Sequence, residues 1–225
     1  MKYVSYLVLD FETGGFSAVK NPITQVALVL VDGFSLQKKK IYSNYVKPYD
    51  NNLVYEQSAL DFTHITMNKL IEKGVELKQV CLDLEQIFKE SVTSSGDKYL
   101  SLIVGQNIIF DIPFLLDICK RTKVNLAKYV ANIYKKENTD EYYPQYFDTL
   151  PLSLLKFGND ENITTLNLGT ICKLNEIELN EAHNARYDTI ATADVFIKYA
   201  KLLRNSNVLK EDNSKSEKIR YNFPI

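Results

Sequence analysis

Residues 3–10, Tyr-Val-Ser-Tyr-Leu-Val-Leu-Asp, form an apolar, β-branched and aromatic run of strand length. It shows almost no alternation, so both faces of the strand must be covered, and it belongs at the centre of a sheet with helices on either side. At its C-terminal end stand Asp10 and Glu12, spaced so that both side chains point to one face. Two neighbouring carboxylates repel, and each is costly to desolvate without a cation. A divalent metal removes both problems. The plainer alternative is a strand end with two solvated acids before a turn. Gly14 and Gly15 follow at once, where the chain can turn sharply and a ligand can approach the backbone closely.

The remaining pattern is consistent with one α/β domain. Strands are expected at 23–31 and 40–47, joined by a hairpin turn at Asp32-Gly33, and helices at 66–73 and 76–91. Val80, Leu84, Ile87 and Phe88 recur at helical spacing in the second helix. A strand near 99–104, a helix at 111–123 and a polar, aromatic stretch at 134–147 come next, then a short strand ending at Asp148. Helices near 149–156, 164–173 and 185–203 complete the unit, the last with a buried stripe of Ile190, Ala193, Phe196, Ile197, Ala200 and Leu203. Antiparallel strands followed by strands alternating with helices indicate an α/β sheet flanked by helices. With 225 residues, 45% of them hydrophobic, the chain can build one sizeable core. The domain is expected over 1–204. Residues 205–225 read as a polar, flexible tail with a short apolar end.

Two further segments carry acids. In Gly105-Gln106-Asn107-Ile108-Ile109-Phe110-Asp111, a helix begins near Phe110, so Asp111 falls at a helix N-terminus, where an anion is favoured. An ordinary helix cap is the competing reading there. In Ala182-His183-Asn184-Ala185-Arg186-Tyr187-Asp188, the histidine and the aspartate are wrongly spaced for one helix face. His183 is therefore placed on a loop and Asp188 on the helix, and a mobile loop suits a general base. The other histidine, His64, is read as structural.

Taken in order, the three motifs resemble those of the DEDDh 3′–5′ exonucleases, a family that includes RNase T and the proofreading subunit of bacterial replicative DNA polymerase. Asp10 and Glu12 match "D-x-E-T-G", Asn107 and Asp111 match "N-x-x-F-D", and His183 and Asp188 match "H-x-A-x-x-D". The resemblance spans residues 3 to 203. Thr63-His64-Ile65-Thr66 is similar to an "H-G-I-T" segment of many relatives, without its glycine, and Asp148-Thr149-Leu150 resembles their "D-T-L". Gln106 stands where many relatives have histidine.

The resemblance implies a ribonuclease H-like, five-stranded mixed sheet. It implies that Asp10, Glu12, Asp111 and Asp188 hold two divalent ions, Mg²⁺ or Mn²⁺, since hard oxygen ligands suit hard cations. His183 would take the proton of the attacking water. Thr13, Gly14, Phe16, Asn107 and Phe110 would contact substrate, whereas Phe114 is read as core. The implied activity is release of nucleoside 5′-monophosphates from the 3′ end of DNA, single-stranded or mispaired, including as a proofreading module. The alternatives are RNA trimming, like RNase T or oligoribonuclease, and a non-catalytic nucleic-acid or polymerase-binding module.

Other classes are excluded on composition. There is no Walker-type loop, Cys/His zinc cluster or serine nucleophile elbow. A net charge of −1 is not the footprint of a protein that grips long nucleic acid through its backbone. Lys38-Lys39-Lys40, Lys120-Arg121 and Lys135-Lys136 read as solvated faces. Cys81, Cys119 and Cys172 are widely spaced, which fits a reducing, cytoplasmic compartment. No apolar run is long enough to span a membrane. The apolar C-terminal end, 219–225, is a candidate docking segment for a DNA polymerase.

Overall fold

The computed structural model describes residues 4–92, 99–135 and 142–205, without the side chains of 132–135. The chain opens with β1 (Tyr6–Thr13), β2 (Ile23–Val31) and β3 (Lys38–Tyr45). Helices α1 (Gln57–Thr63), α2 (Met67–Lys73) and α3 (Leu77–Ser91) follow. Next come β4 (Leu102–Gly105) and α4 (Asp111–Thr122), then a 3₁₀ turn at Leu126–Lys128. The strands β5 (Asn132–Lys135), β6 (Tyr142–Pro144) and β7 (Tyr146–Asp148) precede α5 (Thr149–Phe157), α6 (Leu168–Leu174) and α7 (Ala185–Asn205).

Five strands make one mixed sheet in the order β3-β2-β1-β4-β7. β1 is central, antiparallel to β2 and parallel to β4, which is in turn parallel to β7. This is the sheet the family resemblance implied, and the covering layers explain the continuous hydrophobicity of β1. Leu7, Leu9 and Phe11 pack into a cluster with Val80, Leu84 and Ile87 of α3 and with Ile112, Leu115 and Ile118 of α4. Val8 faces the other way, into a cluster with Ala193, Phe196 and Ile197 of α7. By the same alternation, Asp10 and Glu12 share the α7 side of the sheet with Val8.

Several boundaries differ from expectation. β1 begins at Tyr6 and runs on to Thr13, because pairing with β2 continues through Asp10↔Ala27 and Glu12↔Gln25 after the apolar run has ended. The two acids thus lie inside the strand, not at its end. β2 and β3 are not joined by a two-residue turn: the Asp32 carboxylate accepts from the N–H groups of Phe34 and Ser35 and from the Ser35 hydroxyl, and Leu36 takes a left-handed φ of 57°. α6 starts at Leu168, later than expected, where the Asn167 side chain caps it by accepting from Thr170 N–H. The polar, aromatic stretch at 134–147 takes in the end of β5 and all of β6, which pair, and α1 is an added helix. Leu203 does not complete the α7 stripe; it is exposed. Of the expected tail, 205–225, Asn205 ends α7 and residues 206–225 lie outside the described residues.

Candidate active site

The alternation along β1 and the start of α7 bring three carboxylates to one point. One oxygen each from Asp10, Glu12 and Asp188 lie within 4.8 Å of one another. Asp188 is in the first turn of α7, and its Oδ2 accepts from the backbone N–H of His183 at 3.0 Å. Asp111 joins from the other layer. It is buried at the first position of α4, and its Oδ1 accepts from Phe11 N–H at 3.0 Å. The carboxylate is therefore tied to the central strand beside Asp10 and Glu12, which is more than helix capping would require. Asp111 is outside the group within 4.8 Å but close enough for its charge to act on Asp10 and Glu12.

Burial, and then mutual repulsion, disfavour ionisation here. Desolvation raises Asp10 well above the ordinary range, with Asp111, Glu12 and Asp188 adding to it. Glu12 is pushed up to about 8 by burial and by the charges of Asp188 and Asp111. Asp111 reaches about 8, chiefly through burial, against the opposing hydrogen bond from Phe11. Asp188 rises to about 6 through burial. Among the described residues, none of the four has a lysine or arginine ion-pair partner. A cluster of oxygen donors with no internal counter-charge fits hard divalent cations, which would supply the missing positive charge.

His183 sits on the loop before α7, as its spacing predicted, with a left-handed φ of 63°. Its side chain is exposed, and its ring lies 4.1 Å, centroid to centroid, from the ring of Phe62 on α1. The backbone of His183 bonds Asp188, while the imidazole is outside the group within 4.8 Å. His64 is elsewhere: it ends α1 in a left-handed conformation and lines a cleft of about 690 Å³ between α1 and α2.

The expected substrate residues line the turn after β1 and the start of α4. Phe16 is 84% exposed and meets Phe110 edge to face at 6.3 Å. Phe110 in turn contacts Phe114 at 5.4 Å, and Phe114 is a core residue, as expected. Thr13 is buried and its hydroxyl donates to Gly15 O at 2.7 Å, so its side chain holds the turn. A Cβ on Gly15 would stand 2.4 Å from the Asn21 side chain, which holds Ser17, Val54 and Glu56. Gly14 likewise leaves only 3.0 Å to Pro22. Asn107 is exposed with a left-handed φ of 55°, and its N–H donates to Asp148 Oδ1. Gln106, the departure from the family pattern, bonds the Thr149 hydroxyl and Leu166 O.

The structure adds residues that the sequence did not single out for the site. Phe62 touches His183, Asp148 raises the Asp111 carboxyl by its charge, and Gln25 bonds the residues after His183. The one visible signal was Gln25, a polar residue inside a strand that is otherwise almost wholly apolar.

Comparison with known proteins agrees with this geometry. A family model described as Exonuclease, and named for RNase T, matches residues 7–196. Escherichia coli exonuclease I in complex with a dT13 oligonucleotide is similar in structure, with a TM-score of 0.66 at 21% identity over 90% of this chain and 41% of that one. The same enzyme with a dA16 oligonucleotide gives 0.67 at 21% identity over 91% and 42%. A product-bound exonuclease I gives 0.64 at 20% over 90% and 45%. At these identities the likeness shows the fold, and the chain spans less than half the length of these structures. The extent of the family match and the three motifs now assembled around one point establish that the chain belongs to the exonuclease family.

Proposed function

We propose that this chain is a divalent-metal-dependent 3′–5′ exonuclease that releases nucleoside 5′-monophosphates from DNA. The observation that carries the reading is the meeting of Asp10, Glu12 and Asp188 within 4.8 Å, with Asp111 and the His183 loop alongside. Asp10, Glu12, Asp111 and Asp188 would hold Mg²⁺ or Mn²⁺. When bound, such ions act as Lewis acids on the phosphoryl group and ease deprotonation of water. His183 accepts a proton from the water oxygen as it bonds to phosphorus. The bond from phosphorus to the 3′ oxygen of the preceding nucleotide breaks, and that oxygen takes up a proton. Phe16 and Phe110 offer the terminal base an apolar edge that tolerates any sequence. The buried Thr13–Gly15 turn carries Phe16 to the surface beside Phe110.

DNA is favoured because the structural neighbours named above were seen with dT13 and dA16 oligonucleotides. RNA trimming is the second reading, favoured by the match to a family model named for RNase T. A non-catalytic module would tolerate loss of an acid or the histidine, and the sequence retains all five residues. Residues 1–204 are proposed as the nuclease unit, with 205–225 as an appended segment. The polymerase partnership has no support among the structural neighbours, and the proposal is for the nuclease alone. Oligonucleotides of DNA and RNA, 5′-labelled and bearing either a free or a blocked 3′ end, test direction and polymer together. The proposal expects shortening of free-ended DNA only, lost in Asp10→Ala. Equal cleavage of blocked ends, or internal cuts, would overturn it.

A further inference from the structure

His183 makes two contacts of its own: its N–H donates to Asp188 Oδ2 at 3.0 Å and its ring meets that of Phe62. Its side chain is exposed, and the residues before it, Glu181 and Ala182, are exposed as well. The residues after it are tied to the sheet by the Gln25 side chain. Gln25 is 4% exposed on β2, directly across the strand pair from Glu12. Its Nε2 donates to Asn184 Oδ1 at 3.0 Å, and its Oε1 accepts from Ala185 N–H at 3.3 Å. Asn184 Oδ1 also accepts from Arg186 N–H at 3.2 Å. The first N–H groups of a helix have no partner within it. Here Gln25 satisfies one directly and anchors the side chain that satisfies another. Both ends of a buried amide thus bond the start of α7, Nε2 also reaching Ser43 Oγ on β3 at 3.5 Å, and leaving either unpaired would be costly.

We infer that Gln25 is a positioning residue for His183: it ties the strand opposite Glu12 to the two residues that follow the histidine, and so sets where the imidazole stands relative to the acids. Phe62 adds a ring contact to His183. A left-handed histidine is an uncommon conformation, and it is kept because its surroundings hold it. The link to catalysis rests on the proposed proton-accepting role of His183; the mount itself does not.

The test uses the full chain carrying Gln25→Leu, with Gln25→Met as the second variant should the first fail to fold. The chain has 2 histidines, so ¹⁵N-histidine labelling gives an NMR spectrum assignable with His183→Gln. The expected result is a shifted and narrowed His183 ring signal with the His64 signal unchanged. Mn²⁺ affinity, read by electron paramagnetic resonance, stays within about twofold, and kcat falls roughly 10- to 100-fold at nearly constant KM, the scale of a small misplacement of a reacting group. An unmoved His183 signal overturns the proposal. So does a loss of kcat matched by an equal loss of Mn²⁺ affinity, which would mean that Gln25 serves the acids. If the wild type proves to lack nuclease activity, the proposed function fails while the ring signal still decides the mount.

Discussion

The backbone N–H of Phe11 donates to the Asp111 carboxylate at 3.0 Å, joining the central strand to the first residue of α4. The bond places a buried acid beside Asp10 and Glu12 while opposing, only in part, the rise in its pKa to about 8. Asp111→Asn keeps an acceptor for Phe11 and removes the charge. Nuclease activity is expected to fall by roughly two to four orders of magnitude. Metal-free stability at pH 8.5 is expected to rise, by about 2–4 °C in Tm for each kcal/mol of relieved desolvation. Thermal melts in EDTA, set beside activity assays, check both directions.

The same burial gives the metal-free protein a definite pH dependence. Glu12 and Asp111 titrate near 8 when folded and near 4 when unfolded. Between those values the folded chain binds more protons than the unfolded one, so stability falls as pH rises through this window. Asp188, near 6, contributes over the lower part. Urea unfolding at pH 5, 7 and 8.5 in EDTA should show this decline. Saturating Mn²⁺ should flatten it, with protons released on binding near pH 7.

Phe16 is 84% exposed and contributes little to the core. Phe16→Ala is expected to leave Tm within about 1 °C and to raise KM roughly 5- to 150-fold, the equivalent of one lost base stack. A fall in kcat at constant KM would assign Phe16 another role.

Much of the site was legible because period-two alternation alone puts Asp10 and Glu12 on one face, and because the spacing of His183 and Asp188 separates loop from helix. What could not be read depended on distant partners. Phe62 matters through His183, and Gln25 through Asn184 and Ala185. The end of β1 was misjudged because the apolar run stops at Leu9, whereas backbone pairing with β2 carries on past both acids. α1 escaped notice because it is short, has no side-chain N-cap bond, and leaves Phe62 61% exposed, so hydrophobic periodicity had little to report.

Gly15→Ala probes the turn. An added methyl would meet Asn21 at 2.4 Å and push away the side chain that holds Ser17, Val54 and Glu56. Destabilisation of about 1–3 kcal/mol is expected from chemical denaturation, along with weaker substrate binding as the Phe16 segment shifts.

Four carboxylates, with no ion-pair partner among the described residues, are proposed to form a divalent-ion site for hydrolysis from the 3′ end. The most direct measurement follows a 5′-labelled single strand of DNA through time, with Mn²⁺ or EDTA, for the wild type and for Asp188→Asn of verified fold. A ladder that shortens one nucleotide at a time, with nucleoside 5′-monophosphate as product, is expected only for the wild type with Mn²⁺. A ladder that persists in EDTA or in Asp188→Asn, or an intact strand in every lane, would contradict it.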